Sequence, residues 1–567
     1  MIRDPGQLSG ETFDTLVIGA GIHGACAARE AALRGLRVAV IDRGDFGCAT
    51  SHNSLKIAHG GLRYLQHLDF ARVRQSVLER RFWLRQAPHI VRPMPFLMPL
   101  QGLGTRGPAA LLAAMRIHEL IGFDRNTGVA TSREIPRSRL ISASSVRQQI
   151  PGIAPQRCTG GAIWHDGQMQ DTDALVRLCI EAAVSEGNVA CNYMRATKIR
   201  IENDQVQGVE AIDQLTGTTI FIACRQILNA SGPWISEFLQ NAADRSTDFR
   251  LQCTKNMNLV VRRPAQQMAF GVSSQRRSDA NVGESNRLFF MTPWRGQSII
   301  GTTHFPYEGD TENCVFESHE IDEFLAEFNE AYPAANLARD DVLYCYGGLT
   351  PAARTTESGK VQRSHRSEIV DHLKQDGIKG LFSIVGVKYT TARLLAEWAV
   401  DASVKQLGVG GRASTSHDTP LPGGAGFDQI DTAARLKQET SDSIDEIEGR
   451  FFIETYGTRS VEVLRAGGWS EADGDSLLFR CRTRYSVKHE MAVRLSDVLL
   501  RRTDIGARGR LAQSDVDWAA GYMAKELRWT PERTQEELAN AASEMERAWM
   551  RLGKGDEFTE ALTGTRS

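Results

Sequence analysis

The sequence predicts an α/β protein with mixed sheets and a helical C-terminal domain, and three observations predict it. First, "FDTLVIGAGIHGACAAREAALRGLRVAVID" runs strand, glycine turn, helix and strand, with Gly19, Gly21 and Gly24 spaced G-x-G-x-x-G, a Rossmann-type unit. Second, "TKIRIENDQVQGVEAIDQLTGTTIFIACRQILNASG" and "FFMTPWRGQSIIGTTHF" alternate strand and turn signals, the latter a hairpin around Arg295 and Gly296. Third, apolar residues recur at helical spacing beyond residue 426.

The chain has 567 residues, roughly three or four units by length. Its formal charge of −2 gives no general nucleic-acid surface, and 41% hydrophobic content suits a globular protein. No run of about 18 apolar residues predicts a spanning helix. "MIRDPGQLSGETFD" has no apolar signal-like core, and the 10 cysteines form no C-x-x-C pair. A cytoplasmic protein with reduced thiols and no metal site is expected.

Each element has a physical reason. Gly19 makes the tight turn, Gly21 lets a pyrophosphate approach the backbone, and Gly24 lets helix and sheet pack closely. The helix start offers free amides to phosphate. Asp42 ends the second strand about 20 residues on, where a carboxylate binds ribose hydroxyls. Arg43 either meets a ribose 2′-phosphate or is solvated. Thr50 and Ser51 sit one loop later, followed by "HGGLRY". "ILNASGPW", with Gly232, reads as a strand and a small-residue turn back to the dinucleotide. "GLFSIVGVKYTTARLLAE" reads as a strand, a turn at Gly386 and a helix start with Thr390. In "DVLYCYGGLTPAARTT", Gly347 and Gly348 permit close backbone approach or an unusual φ, and Pro351 closes the strand. Residues 409–426 form a linker, and Ser514 caps a later helix.

These segments together resemble the FAD-dependent glycerol-3-phosphate dehydrogenases, within the D-amino-acid-oxidase-like flavoproteins. The likeness runs from about residue 12 to 530 and includes "HGGLRYL", "NASGPW", "GVKYTTAR" and "VKHEMAVRLSDVLLRRT". It implies one FAD and a discontinuous FAD-binding domain at 12–100, 155–248 and 345–408. It also implies a substrate domain at 101–154 and 249–344 and a helical domain at 427–567. Gly19, Gly21, Gly24, Asp42, Thr50, Ser51, Gly232, Gly386, Lys388 and Thr390 become cofactor positions. Arg63 and Tyr64 match family positions near the substrate, Lys388 matches the lysine beside the flavin, and Arg366 matches an arginine for an anionic group, with Arg363 close in register.

The departures lie on the substrate side. Thr350 stands where the family usually has arginine, Asn258 where it has histidine, and His304 where it has aspartate. Val387 and Ala392 replace glycine and tyrosine. Losing a charged bond to phosphate costs roughly 1.5–3 kcal/mol. The expected reaction is therefore oxidation of a secondary alcohol, by hydride transfer to flavin N5, on a polyol or polyol phosphate altered from glycerol 3-phosphate. Arg354 or Arg366 could compensate. Lys388, His304, Arg63 and Tyr64 are the catalytic candidates, with His304 either a general base or structural. Arg63, Tyr64, Thr350, Arg366 and Asn258 are the substrate-binding candidates. Oxidation of an amine or amino acid, or flavin binding without turnover, are the alternatives. The electron acceptor is a quinone or oxygen. Residues 106–123 form a helix with an apolar side, which either touches a membrane peripherally or packs in the core.

Overall fold

The computed structural model describes residues 1–548 except 103–106, 154–157, 243–246, 248, 264–266, 277–286, 356–360, 364–366, 411, 442–443, 470–475 and 510; at 306, 313, 353–355 and 361–363 only the backbone is described. Apolar tetrads form the short strands Thr15–Ile18 and Val38–Ile41, each buried throughout. They sit in a six-stranded sheet ordered Glu368–Asp371, Leu381–Val385, Ile227–Asn229, Thr15–Ile18, Val38–Ile41, Val189–Cys191. All pairings are parallel except that of the edge strand Glu368–Asp371. Helix Ile22–Leu33 buries its alanines between helices Thr172–Ser185 and Ala392–Leu407. Small residues let the three helices approach closely over the sheet.

A second, mixed sheet of ten strands carries Val361–Arg363, Val342–Thr355, Cys253–Val261, Gln297–Tyr307, Leu288–Trp294, Ala269–Ser273, Val91–Gln101, Cys158–Met169 and Ile57–Ala58 in that order, with Arg139–Ile141 branching from Cys158–Met169. Its membership cuts across the expected boundaries. Cys158–Met169 and nearly all of Val91–Gln101 lie within the expected FAD-binding segments yet pair here, and Val342–Thr355 straddles the expected boundary at 344/345. Met194–Glu202, Gln205–Asp213 and Thr219–Ala223 form the expected small antiparallel sheet. The hairpin at Arg295 and Gly296 is present, with both residues at positive φ.

Three local expectations are corrected. Pro351 does not close its strand, which continues from Val342 to Thr355. Pro351 pairs with Cys253 on one side, and the neighbour on the other side joins only from Ala352, so the missing amide breaks no ladder bond there. Ser514 is not a cap: helix Gln513–Leu527 begins before it, with Ala512 at the N-cap. The 409–426 connector is packed rather than loose. Leu421 is buried, the carbonyls of Ser416 and Thr419 accept from Arg29, and that of His417 accepts from Gln86.

The C-terminal residues form helices Gln429–Glu439, Glu446–Tyr456, Ser460–Ala466, Leu477–His489, Gln513–Leu527 and Pro531–Ala548, with a π-helical turn at Asp497–Arg502. Val498, Leu499, Val516 and Met523 share one apolar cluster with Val260, Trp294, Tyr344 and Tyr346 of the large sheet. The strand Val342–Thr355 therefore touches the C-terminal domain at one end. Its middle lies against the loop that carries Thr50 and Asn53.

Candidate active site

Gly19 and Gly24 meet the steric constraints expected of them. Gly19 has φ +92°, and a Cβ there would lie 2.6 Å from the Ala230 carbonyl oxygen. A Cβ on Gly24 would lie 1.8 Å from the Gly19 carbonyl oxygen, so helix and turn fit only without one. At Gly21 the nearest atom is the Ser51 hydroxyl, at 3.1 Å. Ser51 Oγ accepts from the Ile22 amide at 2.9 Å and so sits on the helix start. Asp42 accepts from the Ala20 and Gly44 amides at 2.6 and 2.9 Å. Burial pushes its carboxyl up to about 6, although both amides pull it down. Arg43 stacks on Trp234 at 4.0 Å and pairs with Glu312. Gly232 starts its turn at φ +61°. Among the described residues, the buried atoms His23 Nε2, Ser54 Oγ and Trp234 Nε1 have no protein partner. Orphaned polar atoms around a glycine cradle fit a polar dinucleotide such as FAD.

Two further loops close on this cradle. A Cβ on Gly386 would fall 2.1 Å from His23 Nε2, so that glycine makes room for the imidazole. Burial lowers His23 to about 4, a neutral ring, despite a hydrogen bond with the Lys388 backbone. The Thr390 hydroxyl accepts from the His59 amide at 3.0 Å, tying "GVKYTT" to "HGGLRY". The latter is braced from behind. Asp166 accepts from the Gly60 amide and from buried Arg80, both at 2.6 Å. Gly61 has φ +79° at the start of the 3₁₀ turn Leu62–His67. Within that turn Arg63 is exposed, and the Tyr64 ring lies 4.0 Å from Lys388 Nζ. Burial pulls the Lys388 ammonium down to about 8. A cavity of about 270 Å³ adjoins Lys388, walled by Arg72 and Gln75 on one side and by Leu394 and Trp398 on the other.

The strand Val342–Thr355 crosses the loop that carries Thr50 and Ser51. Gly348 lies where a Cβ would sit 3.4 Å from Thr50 Cα, and Thr50 Oγ1 donates to the Leu349 carbonyl at 2.8 Å. Gly347 faces the other way, where a Cβ would strike Phe316 at 2.1 Å. Close approach demands glycine at Gly347, whereas a Cβ at Gly348 would make only ordinary contact; neither has positive φ. Cross-strand register sets Thr350 opposite Thr254, and Asn256 between Gly348 and His304. Paired residues share a sheet face, so Thr254, Asn256, Thr350 and His304 lie on the face that meets the Thr50 loop. Asn256 Nδ2 donates to Thr350 Oγ1 at 2.6 Å and to the Thr254 carbonyl at 3.0 Å. The carbonyl can only accept, which fixes the amide orientation. Thr302 donates to Asn258 Oδ1 at 2.8 Å, on the same face.

Sequence reasoning singled out Thr350, Asn258 and His304 but missed Asn256, whose only signal was its place two residues from Asn258 on an alternating strand. Arg366 lies outside the described residues, as do the side chains of Arg354 and Arg363.

Residues 14–402 match the FAD dependent oxidoreductase family, and residues 414–534 match the C-terminal domain of alpha-glycerophosphate oxidase. The aerobic glycerol-3-phosphate dehydrogenase of Escherichia coli is 32% identical, with 94% of this chain and 100% of that one covered. A glycerol-3-phosphate dehydrogenase of Synechocystis is 29% identical over 89% of this chain and 91% of its own. The crystal structure of glycerol-3-phosphate dehydrogenase from Bacillus halodurans, complexed with FAD, superposes with a TM-score of 0.75 at 26% identity, covering 96% of each chain.

Proposed function

The chain belongs to the family of FAD-dependent glycerol-3-phosphate dehydrogenases, and from that premise we propose that it oxidises the secondary alcohol of a polyol or polyol phosphate other than glycerol 3-phosphate. FAD, when bound, supplies the two-electron oxidation. Gly19, Gly21, Gly24, Asp42, Thr50, Ser51, Gly232, Gly386 and Thr390 border its place, through backbone amides and the Asp42 carboxylate.

The observation that carries the substrate reading is the Thr350 hydroxyl held by Asn256 and Thr254. It is a neutral group with one proton to offer. Asn258 and His304 continue this polar wall. Among the described residues, Thr350, Asn256 and Asn258 offer hydroxyl and amide groups rather than charge there, which suits the hydroxyls of a polyol. Lys388 and Arg63 supply positive charge from the opposite loops, and Tyr64 shapes the Lys388 side. Arg366 is a further candidate for an anionic group. His304 is the candidate base for the hydroxyl proton.

The electron acceptor is a quinone or dioxygen. Leu68, Phe70, Ile117, Leu120 and Phe123 are exposed; they come from the 3₁₀ turn's end, the helix that follows it, helix Pro108–Ile121 packed beside both, and the turn just after that helix. This apolar face supports peripheral contact with a lipid surface; no described helix is long and apolar enough to cross one.

Anaerobic mixing of the holoenzyme with a polyol and polyol-phosphate series tests the reading. Flavin bleaching is expected with four- or five-carbon polyols or their phosphates, and only weakly with glycerol 3-phosphate. Faster bleaching by glycerol 3-phosphate than by every longer alcohol would remove the altered substrate. Bleaching by amines alone would remove alcohol oxidation.

A further inference from the structure

The loop 42–54 carries Asp42 at one end and Thr50 and Ser51 near the other, so its shape decides where both meet the dinucleotide. Between them lies Asp45, only 1% exposed. Its carboxylate accepts from Arg502 Nη1 and Nη2 at 2.7 and 2.9 Å, from Arg501 Nε at 2.9 Å, and from Asn192 at 3.2 Å. Both arginines belong to the π-helical turn of the C-terminal domain. Arg502 is fully buried, and its fork also reaches the Glu490 carbonyl. Arg501 is held by Asp497 at 2.8 Å and by Glu544. The Arg501 carbonyl accepts from Arg177 at 2.8 Å, and Tyr193 donates to Asp497.

We infer that the C-terminal domain clamps the cofactor, with Arg502 and Asp45 as positioning residues for the loop that binds FAD. The inference rests on the FAD reading above. The mechanical path is short. Arg502 fixes the Asp45 carboxylate. The adjoining Gly44 amide donates to Asp42 Oδ1, and the Asp45 carbonyl accepts from the Cys48 amide at 3.2 Å. Displacing Asp45 therefore displaces both the ribose-binding acid and the turn that leads to Thr50 and Ser51. Burial alone would raise the Asp45 carboxyl, but Arg502 and Arg501 outweigh it and hold the carboxyl well below its usual range, so the clamp stays charged at all working pH values. Apolar residues would join two domains as well as buried ions do. What a bidentate fork adds is a fixed position and angle. Coupling of this kind is reciprocal: if the C-terminal domain tightens FAD, then FAD tightens the C-terminal domain.

Two measurements on the full chain test this. Arg502→Lys keeps the charge and loses the fork; FAD release from that holoenzyme, followed by free-flavin fluorescence, should be at least tenfold faster than from wild type. Hydrogen exchange in the wild type should slow at residues 491–503 when FAD is present, relative to flavin-stripped protein. Wild-type FAD release from Arg502→Lys, combined with a lower melting temperature, would reduce the contact to domain adhesion and overturn the clamp. So would unchanged exchange at 491–503, even if Arg502→Lys failed to fold. A wild-type protein that binds no FAD at all would instead overturn the cofactor reading beneath it.

Discussion

Alanine at Gly21 and at Gly24 should fail in different ways. The Gly24 Cβ would stand 1.8 Å from a backbone oxygen, whereas carbon and oxygen ordinarily approach to about 3.3 Å. The obstacle is peptide, so helix Ile22–Leu33 must lift away from the strand Thr15–Ile18 by more than an ångström. Overpacking of that kind costs about 1–3 kcal/mol before any effect on a ligand. At Gly21 the obstacle is the Ser51 hydroxyl, 3.1 Å away. It can rotate, at the loss of its bond to the Ile22 amide, a neutral bond that contributes about 0.5–1.5 kcal/mol. The Gly21 methyl would, however, stand where a pyrophosphate approaches the backbone. Urea unfolding of the flavin-stripped proteins should place Gly21→Ala within about 1.5 kcal/mol of wild type, the limit set by that one bond. Gly24→Ala should fall clearly below it. Flavin titration should weaken FAD binding by Gly21→Ala at least a hundredfold, or about 2.7 kcal/mol. Stoichiometric flavin in Gly21→Ala with an unchanged dissociation constant would refute the cradle.

Three further outcomes are expected. Because burial sets the Lys388 ammonium near 8, it is charged below that pH and neutral above; kcat/KM should fall as pH rises through about 8, and Lys388→Arg should move that limb upward. A limb unmoved by Lys388→Arg would assign it to another group. Asp42, with its carboxyl near 6 in the flavin-free protein, is ionised above that pH and protonated below; FAD affinity should weaken as pH falls below 6, and Asp42→Asn should bind FAD weakly at every pH. A flat wild-type profile between pH 5 and 7 would remove the ribose-binding role. Leu120→Glu with Phe123→Glu, on residues 75% and 77% exposed, should release the protein from sedimenting lipid vesicles without altering flavin content; equal sedimentation would leave this face unrelated to lipid.

The parts legible in the sequence are those whose physics is local. Gly19, Gly21 and Gly24 lie within six residues, and strand, turn and helix follow without interruption, so spacing alone determines the geometry. The hairpin at Arg295 and Gly296 is equally local. The large sheet is not. Phe96 pairs with Ala269 in parallel, and Leu97 pairs with Ile163 across two helices and a short strand. No window of sequence contains both partners, so domain boundaries drawn on segments miss how strands are shared. Pro351 misleads for a related reason. A proline forbids a ladder bond only where a neighbour needs its amide, and the neighbour on that side begins one residue later.

The substrate wall shows a second limit. Thr350 and Asn258 could be noticed one at a time, each as a departure from a familiar pattern. Asn256 could not, because an asparagine on a buried strand has no local signature. Its meaning arises from the register, which sets it between Gly348 and His304 and brings its amide to Thr350. Once paired, the two residues no longer act independently. Replacing Thr350 alone with arginine would strand the Asn256 amide proton and press a guanidinium against a donor. Thr350→Arg by itself should therefore gain little phosphate affinity, whereas Thr350→Arg with Asn256→Gly removes the opposing donor and frees the space opposite Gly348. Initial rates on glycerol 3-phosphate for the two variants decide it. A lower KM in the single variant, equal to that in the double, would show that Asn256 does not govern this wall.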